Sequence, residues 1–253
     1  MREVLEAVAA GDLSPAAAER RLAGYVTTDA GRFDAARERR RGVPEAILAA
    51  GKTPAEVAAL AAAALEATGL ALLTRVSEDD VAAVAEEIDA SVELTHDERA
   101  RTLVARTPAS DPPTLDATVA IVTGGTADAA VAGEAAAVLE VMGATVERLE
   151  DVGVAHLGRV IDHLDQLRAA DVLVVAAGRE GALPTVVAGL VDTPVIGIPV
   201  STGYGHGGDG AAALSGMLQS CTVLSVVNID AGFVAGAQAG LVARAVDEAR
   251  RGD

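Results

Sequence analysis

Cys221 is the only cysteine in 253 residues, at the junction between a helix-like run ending at Ser220 and an apolar, strand-like run starting at Thr222. Cysteine attacks carbon through its thiolate and needs little activation, so a lone thiol raises the question of covalent catalysis. On pattern alone, the residue reads as a small packed hydrophobe. Glu180 is the second candidate. It lies between Gly178 and Gly181, just past an apolar run, where a carboxylate could accept a proton, ligate a metal or cap the next helix. Asp128, Asp151 and Asp230 face the same choice. His96, His156, His163 and His206 show no metal-ligand spacing, and the sequence picks out no metal ligands; only His206, in a glycine-rich loop, is placed to serve a site. There is no GxSxG and no Ser-His-Asp signature. Lys52 is the only lysine, which excludes a Schiff base from the C-terminal half.

The elements that position these residues are clearest after residue 113. Strand-like runs "ATVAIVT" (117–123), "TVERLE" (145–150), "DVLVVAAG" (171–178), "TPVIGIPV" (193–200) and "CTVLSVVN" (221–228) alternate with helical patterns over 127–142, 156–169, 182–191, 208–220 and 232–250. That alternation predicts βαβ units and one flavodoxin-like, doubly wound parallel sheet of five strands covered on both faces. Ligands bind such sheets beyond the carboxyl ends of the strands. The segments there are "TGGTAD" (123–128), "DVGVAH" (151–156), "GREGALP" (178–184), "STGYGHGGDG" (201–210) and "NIDAGF" (228–233). All are rich in glycine, hydroxyl or acidic residues, and the topology brings them to one edge. "TGGTAD" joins a strand to a helix and suits a phosphate at the helix N-terminus, or is a plain tight turn. Five glycines in the ten residues 201–210 point to a flap or to a loop closing on a ligand.

Before this region lies a proline-rich seam, "TPASDPPTLD" (107–116), which reads as a linker. It divides the chain into an N-terminal, mainly helical domain over 1–112 and an α/β domain over 113–253. Helical patterns occur at 2–10, 14–22, 44–50, 54–68, 78–90 and 95–105, with a short apolar run at 70–77. Ser14, Thr53 and Ser77 take N-cap positions. Five arginines fall within 32–41, either as a solvated helix face or as an anion-binding patch.

A net charge of −17 argues against nucleic acid as partner, since phosphate backbones are held by Lys and Arg clusters. The opening residues read as an amphipathic helix, not a signal peptide. No apolar run approaches the ~18 residues of a membrane span, and a single cysteine fits the reducing cytoplasm.

The run "AAGREGALPTVVAGLVDTPVIGIPVSTGYG" (176–205) resembles the phosphoribosylaminoimidazole carboxylase (PurE) family, with two departures. The family's Ser-x-Ser-Asp is here Thr126-Ala127-Asp128, and its histidine before Leu-Pro is here Ala182. A closer likeness is to the LarB family of nickel-pincer cofactor biosynthesis, which sets a PurE-like domain behind its own N-terminal domain. It is carried by "FDAARERRRGVPEAILAAGKT", "TGGTAD", "VERLEDVGVAHLGR", "GREGALP", "PVSTGYG" and "SCTVLSVVNIDAGFVAG", from about residue 33 to 236.

The resemblance implies carboxylation of the pyridinium ring of nicotinic acid adenine dinucleotide at C5, with CO2 or bicarbonate as co-substrate. It also implies hydrolysis of the phosphoanhydride, giving pyridinium-3,5-biscarboxylic acid mononucleotide and AMP. In that reading Cys221 is the covalent nucleophile and Glu180 takes the C5 proton. Gly124, Gly125, Thr126 and Asp128 hold phosphate or ribose, and Asp151, Gly178, Ser201, Gly203, Tyr204 and Asn228 line the substrate. Asp34, Arg37, Arg40 and Glu45 belong to the N-terminal motif, its arginines holding the anionic dinucleotide. Mg2+ would offset phosphate charge, and PurE-like domains imply a homo-oligomer, an octamer by analogy. Strand starts usually lie at the opposite edge from the cleft, which works against a catalytic Cys221; the family likeness, or a site shared across a subunit interface, would resolve it. Two rivals stand beside this reading: a PurE-type carboxylase or mutase acting on an aminoimidazole ribotide, and a non-catalytic nucleotide-sensing module.

Overall fold

The computed structural model describes residues 2–15, 18, 24–203 and 205–252. The chain forms two compact units, one of Met1–His96 with Thr102–Asp111, the other of Asp97–Arg101 with Pro112–Asp253.

In the first unit the described elements are α1 (Arg2–Ala10), the hairpin β1 (Val26–Thr28) and β2 (Gly31–Phe33), α2 (Arg37–Arg41), β3 (Ala46–Leu48), α3 (Pro54–Thr68), β4 (Leu70–Thr74), α4 (Glu78–Glu87), β5 (Glu93–Asp97) and β6 (Thr102–Arg106). The helix expected over 14–22 lies largely outside the described residues. α3 starts as expected: Thr53 and Glu56 form a reciprocal capping box, Pro54 fills the first turn, and Gly69 closes the helix in the left-handed conformation. Ser77 and Asp80 form a second box on α4.

Two expected helices are strands instead, so a four-stranded sheet in the order β3-β4-β6-β5 accompanies the helices. Residues 44–50 follow Pro44 and are cut off by Gly51 at φ 82°, too short a run to propagate a helix. Ala46–Leu48 pair instead in parallel with Leu72–Thr74. Within 95–105 the chain reverses, with Asp97 Oδ1 accepting from the Ala100 N–H at 2.9 Å and Arg101 at φ 54°. Beyond the turn, Thr102–Arg106 pair antiparallel with β4. The helix-forming side chains of Glu98, Arg99 and Ala100 hid that turn, and tertiary pairing overrode their propensity.

The second unit contains β7 (Thr118–Thr123), a single 3-10 turn at Thr126–Asp128, α5 (Ala129–Val141), β8 (Thr145–Leu149), α6 (Gly158–Asp162), α7 (Leu164–Ala169), β9 (Val172–Ala177), α8 (Ala182–Ala188), β10 (Val195–Pro199), α9 (Ala211–Leu218), β11 (Ser225–Val226) and α10 (Gly232–Arg251). The sheet order is β11-β10-β9-β7-β8 and every pair is parallel. This is the doubly wound, flavodoxin-like order, with its switch point between β7 and β9. Alternate residues serve two cores. Val119, Ile121, Val174 and Ile198 pack with α5 and α10, while Ala120, Val122, Leu173 and Val175 face α7, α8 and α9.

The strand expected over 221–228 shrinks to Ser225–Val226, paired only with Ile196 and Gly197. Ser220 diverts the chain before it: its hydroxyl lies 2.8 Å from the Thr222 hydroxyl and 3.2 Å from the Thr222 N–H, and a sheet edge offers only one neighbour to compete.

α10 closes one face. A methyl group added at Gly236 would sit 2.5 Å from the Ala135 carbonyl oxygen, so glycine sets the distance between α5 and α10. The end of α10 also grips the start of this unit. Asp247 accepts from the Asp116 N–H at 2.8 Å, Arg251 donates to the Thr114 carbonyl at 3.0 Å, and Arg250 pairs with both oxygens of Asp171 at 3.0 and 2.6 Å. No helix is long and apolar enough to cross a membrane, among the described residues.

Candidate functional site

A cleft of about 610 Å³ opens beyond the carboxyl ends of the strands, lined among others by Gly124, Gly125, Asp128, Gly153, Arg179, Glu180 and Thr202. Backbone approaches shape it. Gly124 donates to the Ala176 carbonyl at 3.0 Å, and Val152 to that of Thr123 at 2.9 Å. A methyl group on Gly153 would meet the Gly124 carbonyl oxygen at 2.5 Å, and one on Gly203 would meet the Arg179 nitrogen at 3.0 Å. The glycines let neighbouring loops touch main chain to main chain and leave space between their side chains.

Asp128 is the buried charge of the cleft, 6% exposed. Its Oδ2 accepts from the Gly125 N–H at 2.8 Å. Burial raises its pKa, and the N–H groups of Gly125, Gly178 and Gly124 pull the other way. Asp128 therefore ties the loop after β7 to the loop after β9. Glu180, by contrast, is exposed and lines the cleft. It also borders a second hollow of about 350 Å³, lined by Arg179, Glu180, Gly205, His206 and Ala212.

The other expected residues divide. Gly124, Gly125, Gly178 and Gly203 line the cleft with Asp128 and Glu180. Thr126 stands beside it; its carbonyl accepts a hydrogen bond from Arg99 at the turn between β5 and β6, and the neighbouring Ala127 lines the wall. Asp151 turns away to pair with Arg159 at 3.1 Å. The Ser201 N–H donates to Asp230 Oδ1 at 2.9 Å, while Thr202 faces the cleft. Asn228 accepts from the Ile229 N–H at 2.8 Å. Tyr204 lies outside the described residues. In the first unit the motif residues pair with one another, Arg37 with Glu45 at 2.7 Å and Arg40 with Asp34 at 2.5 Å.

Cys221 is exposed and stands apart from the cleft of its own chain. It precedes β11, and a methyl group on Gly189 would come within 3.8 Å of the methyl of Thr222. Gly189 caps the far end of α8, whose near end begins beside Glu180, so the thiol sits at the amino edge of the sheet. Around it Leu218 is 63% and Val223 95% exposed, an apolar surface beside the thiol.

Sequence reasoning missed Arg179, Gly153 and Thr202. All three lay inside the segments already assigned to the carboxyl edge, and only which residues of those segments line the cleft was hidden. Among the described residues no group of three or more His, Cys, Asp or Glu comes together to hold a metal, so the donor set does not form a dedicated magnesium cage.

Residues 25–107 match the family described as LarB/PurE-like N-terminal domain, and residues 118–250 match AIR carboxylase. An uncharacterized protein of Methanocaldococcus jannaschii is 37% identical over 220 residues, covering 84% of each chain. The crystal structure of a Treponema denticola PurE2 variant superposes on 53% of this chain and 96% of its own, at 20% identity and a TM-score of 0.38.

Proposed function

Because the chain belongs to the PurE-like AIR carboxylase family and carries the N-terminal domain of its LarB branch, we propose that it carboxylates C5 of the pyridinium ring of nicotinic acid adenine dinucleotide and hydrolyses the phosphoanhydride. The products are pyridinium-3,5-biscarboxylic acid mononucleotide and AMP. The observation that carries this reading is Ala182. It lines the cleft at the position before Leu183-Pro184 where the resembling purine enzymes place a histidine, leaving Glu180 as the proton-handling group on that wall.

A pyridinium is electron-poor, and its C5 does not attack CO2. Addition of the Cys221 thiolate at C4 gives a dihydropyridine whose N1–C6–C5 unit is an enamine, nucleophilic at C5. The C5–CO2 bond forms, Glu180 accepts the C5 proton, and the electron pair of that C–H bond expels the thiolate and restores the aromatic ring. One inaccessible step becomes several accessible ones. An aminoimidazole is already an enamine and needs no thiol.

In this reading the thiol acts on the cleft of another copy in a homo-oligomer. Its place at the amino edge, beside exposed Leu218 and Val223, supports that arrangement. Magnesium stays an expectation tied to the substrate's phosphates, and no step is routed through it.

The test is a single-turnover incubation with the dinucleotide, bicarbonate and magnesium, read by mass spectrometry. Wild type gives the dicarboxylated mononucleotide and AMP. Cys221→Ala and Cys221→Ser lose carboxylation, and Glu180→Gln slows it by about 10²–10⁴-fold. Carboxylation that survives both cysteine substitutions removes the covalent step. Turnover of an aminoimidazole ribotide instead assigns the purine-type reaction, and binding without turnover leaves a sensing module.

A further inference from the structure

The two hollows at the carboxyl edge adjoin, and Arg179 and Glu180 are the lining residues they share. The larger runs over Gly124, Gly125 and Asp128, and the smaller lies by Gly205, His206 and Ala212. Among the described residues lining either one, Arg179 is the only arginine or lysine, in a protein of net charge −17. An anion in this double cavity meets repulsion from Asp128 and Glu180 and one strong attraction. The Arg179 backbone is left-handed at φ 53°, uncommon for a residue with a Cβ, and its exposed side chain borders both hollows. Gly203 packs against this backbone, so close that a methyl group there would lie 3.0 Å from the Arg179 nitrogen.

A ligand of two bulky halves joined by an anionic bridge fits two rooms with a cation at their common wall. Resting on the reading above, we infer that Arg179 holds the phosphoanhydride of the dinucleotide there and positions it for hydrolysis. The pyridinium half lies in the larger room with Glu180, and the adenosine half in the smaller. Water adds its oxygen to the phosphorus on the pyridinium side, the bond from that phosphorus to the bridging oxygen breaks, and the electron pair leaves with AMP. The water proton passes to solvent. The planar guanidinium offsets charge on the non-bridging oxygens through paired N–H donors, a geometry lysine cannot reproduce.

Two measurements on Arg179→Gln and Arg179→Lys test this. The first is calorimetric binding of ADP, an unreactive phosphoanhydride on adenosine. The affinity of Arg179→Gln falls about tenfold or more, the scale of one lost charge-assisted hydrogen bond, and Arg179→Lys restores part of it. The second is the ratio of carboxylated dinucleotide to carboxylated mononucleotide in single turnover. In Arg179→Gln release of AMP slows by about 10²-fold, more than carboxylation does, so the carboxylated dinucleotide accumulates. Equal ADP affinity in wild type and Arg179→Gln, or an unchanged product ratio, overturns the assignment. A wild type that leaves the dinucleotide untouched yet binds ADP through Arg179 sinks the carboxylase reading and keeps the anion site.

Discussion

At the scale of single residues, Asp128 both lines the cleft and is bound into the fold around it. The sequence marked it as a ligand for phosphate or ribose; the fold buries it and has glycine N–H groups from two loops point at it. Burial outweighs those N–H groups and raises its pKa. The sign follows from linkage: between the ordinary aspartate pKa and the raised one, the folded protein holds a proton that the unfolded chain has lost, so stability falls as pH rises through that window. Asp128→Asn, which keeps an oxygen acceptor for Gly125, removes this dependence. Thermal melts across the acidic range check it; parallel wild-type and variant curves would count against a raised carboxyl. Glu180 was legible because a carboxylate flanked by glycines at a strand's carboxyl end has few structural duties. Asp151 and Ser201 were placed at the correct edge, yet the sequence carried no sign that Arg159 and Asp230 would engage them.

At the scale of elements, the α/β rhythm of the second unit was legible almost throughout, because central parallel strands are continuous apolar runs and the helices between them begin and end in glycine or polar residues. The failures share a cause. Residues 46–48, 102–106 and 221–228 depend on what lies beside them in the sheet, and local propensity does not report that. Helix packing gives a sharper test. Gly236→Val forces a branched side chain against the Ala135 carbonyl, and overpacking of this kind costs about 1–3 kcal/mol; chemical denaturation reads the lowered midpoint, and an unchanged one would mean that α10 shifts freely on α5. On α4, Ser77→Ala removes the hydroxyl that accepts from the Asp80 N–H at 3.2 Å. That loss is worth about 1 kcal/mol, measurable in the same experiment.

At the scale of the whole molecule, the distance between thiol and cleft becomes informative. The sequence located both and placed them at opposite edges of one sheet; whether a second copy joins them was beyond its reach, because subunit contacts leave no periodic signature. If Cys221 serves a neighbour's Glu180, two dead variants complement each other. Cys221→Ala mixed with Glu180→Gln and co-assembled regains carboxylation, since some sites then combine an intact thiol with an intact carboxylate. A mixture as inactive as its parts would place both groups in one chain. Val223→Arg, which sets a charge on the 95% exposed residue beside the thiol, shifts the sedimentation coefficient downward and lowers activity together; activity without assembly would contradict the shared site.

The grip of Arg250, Arg251 and Asp247 on Thr114, Asp116 and Asp171 bears on how the chain is made. A ribosome delivers the first strand of the sheet long before the helix that fastens it. Until α10 emerges, the face formed by Val119, Ile121, Val174 and Ile198 is covered by α5 alone, and a nascent chain stalled short of residue 232 displays the rest to chaperones and to its own siblings. Exposure of that face before α10 docks thus bears on yield, independent of how stable the finished protein is.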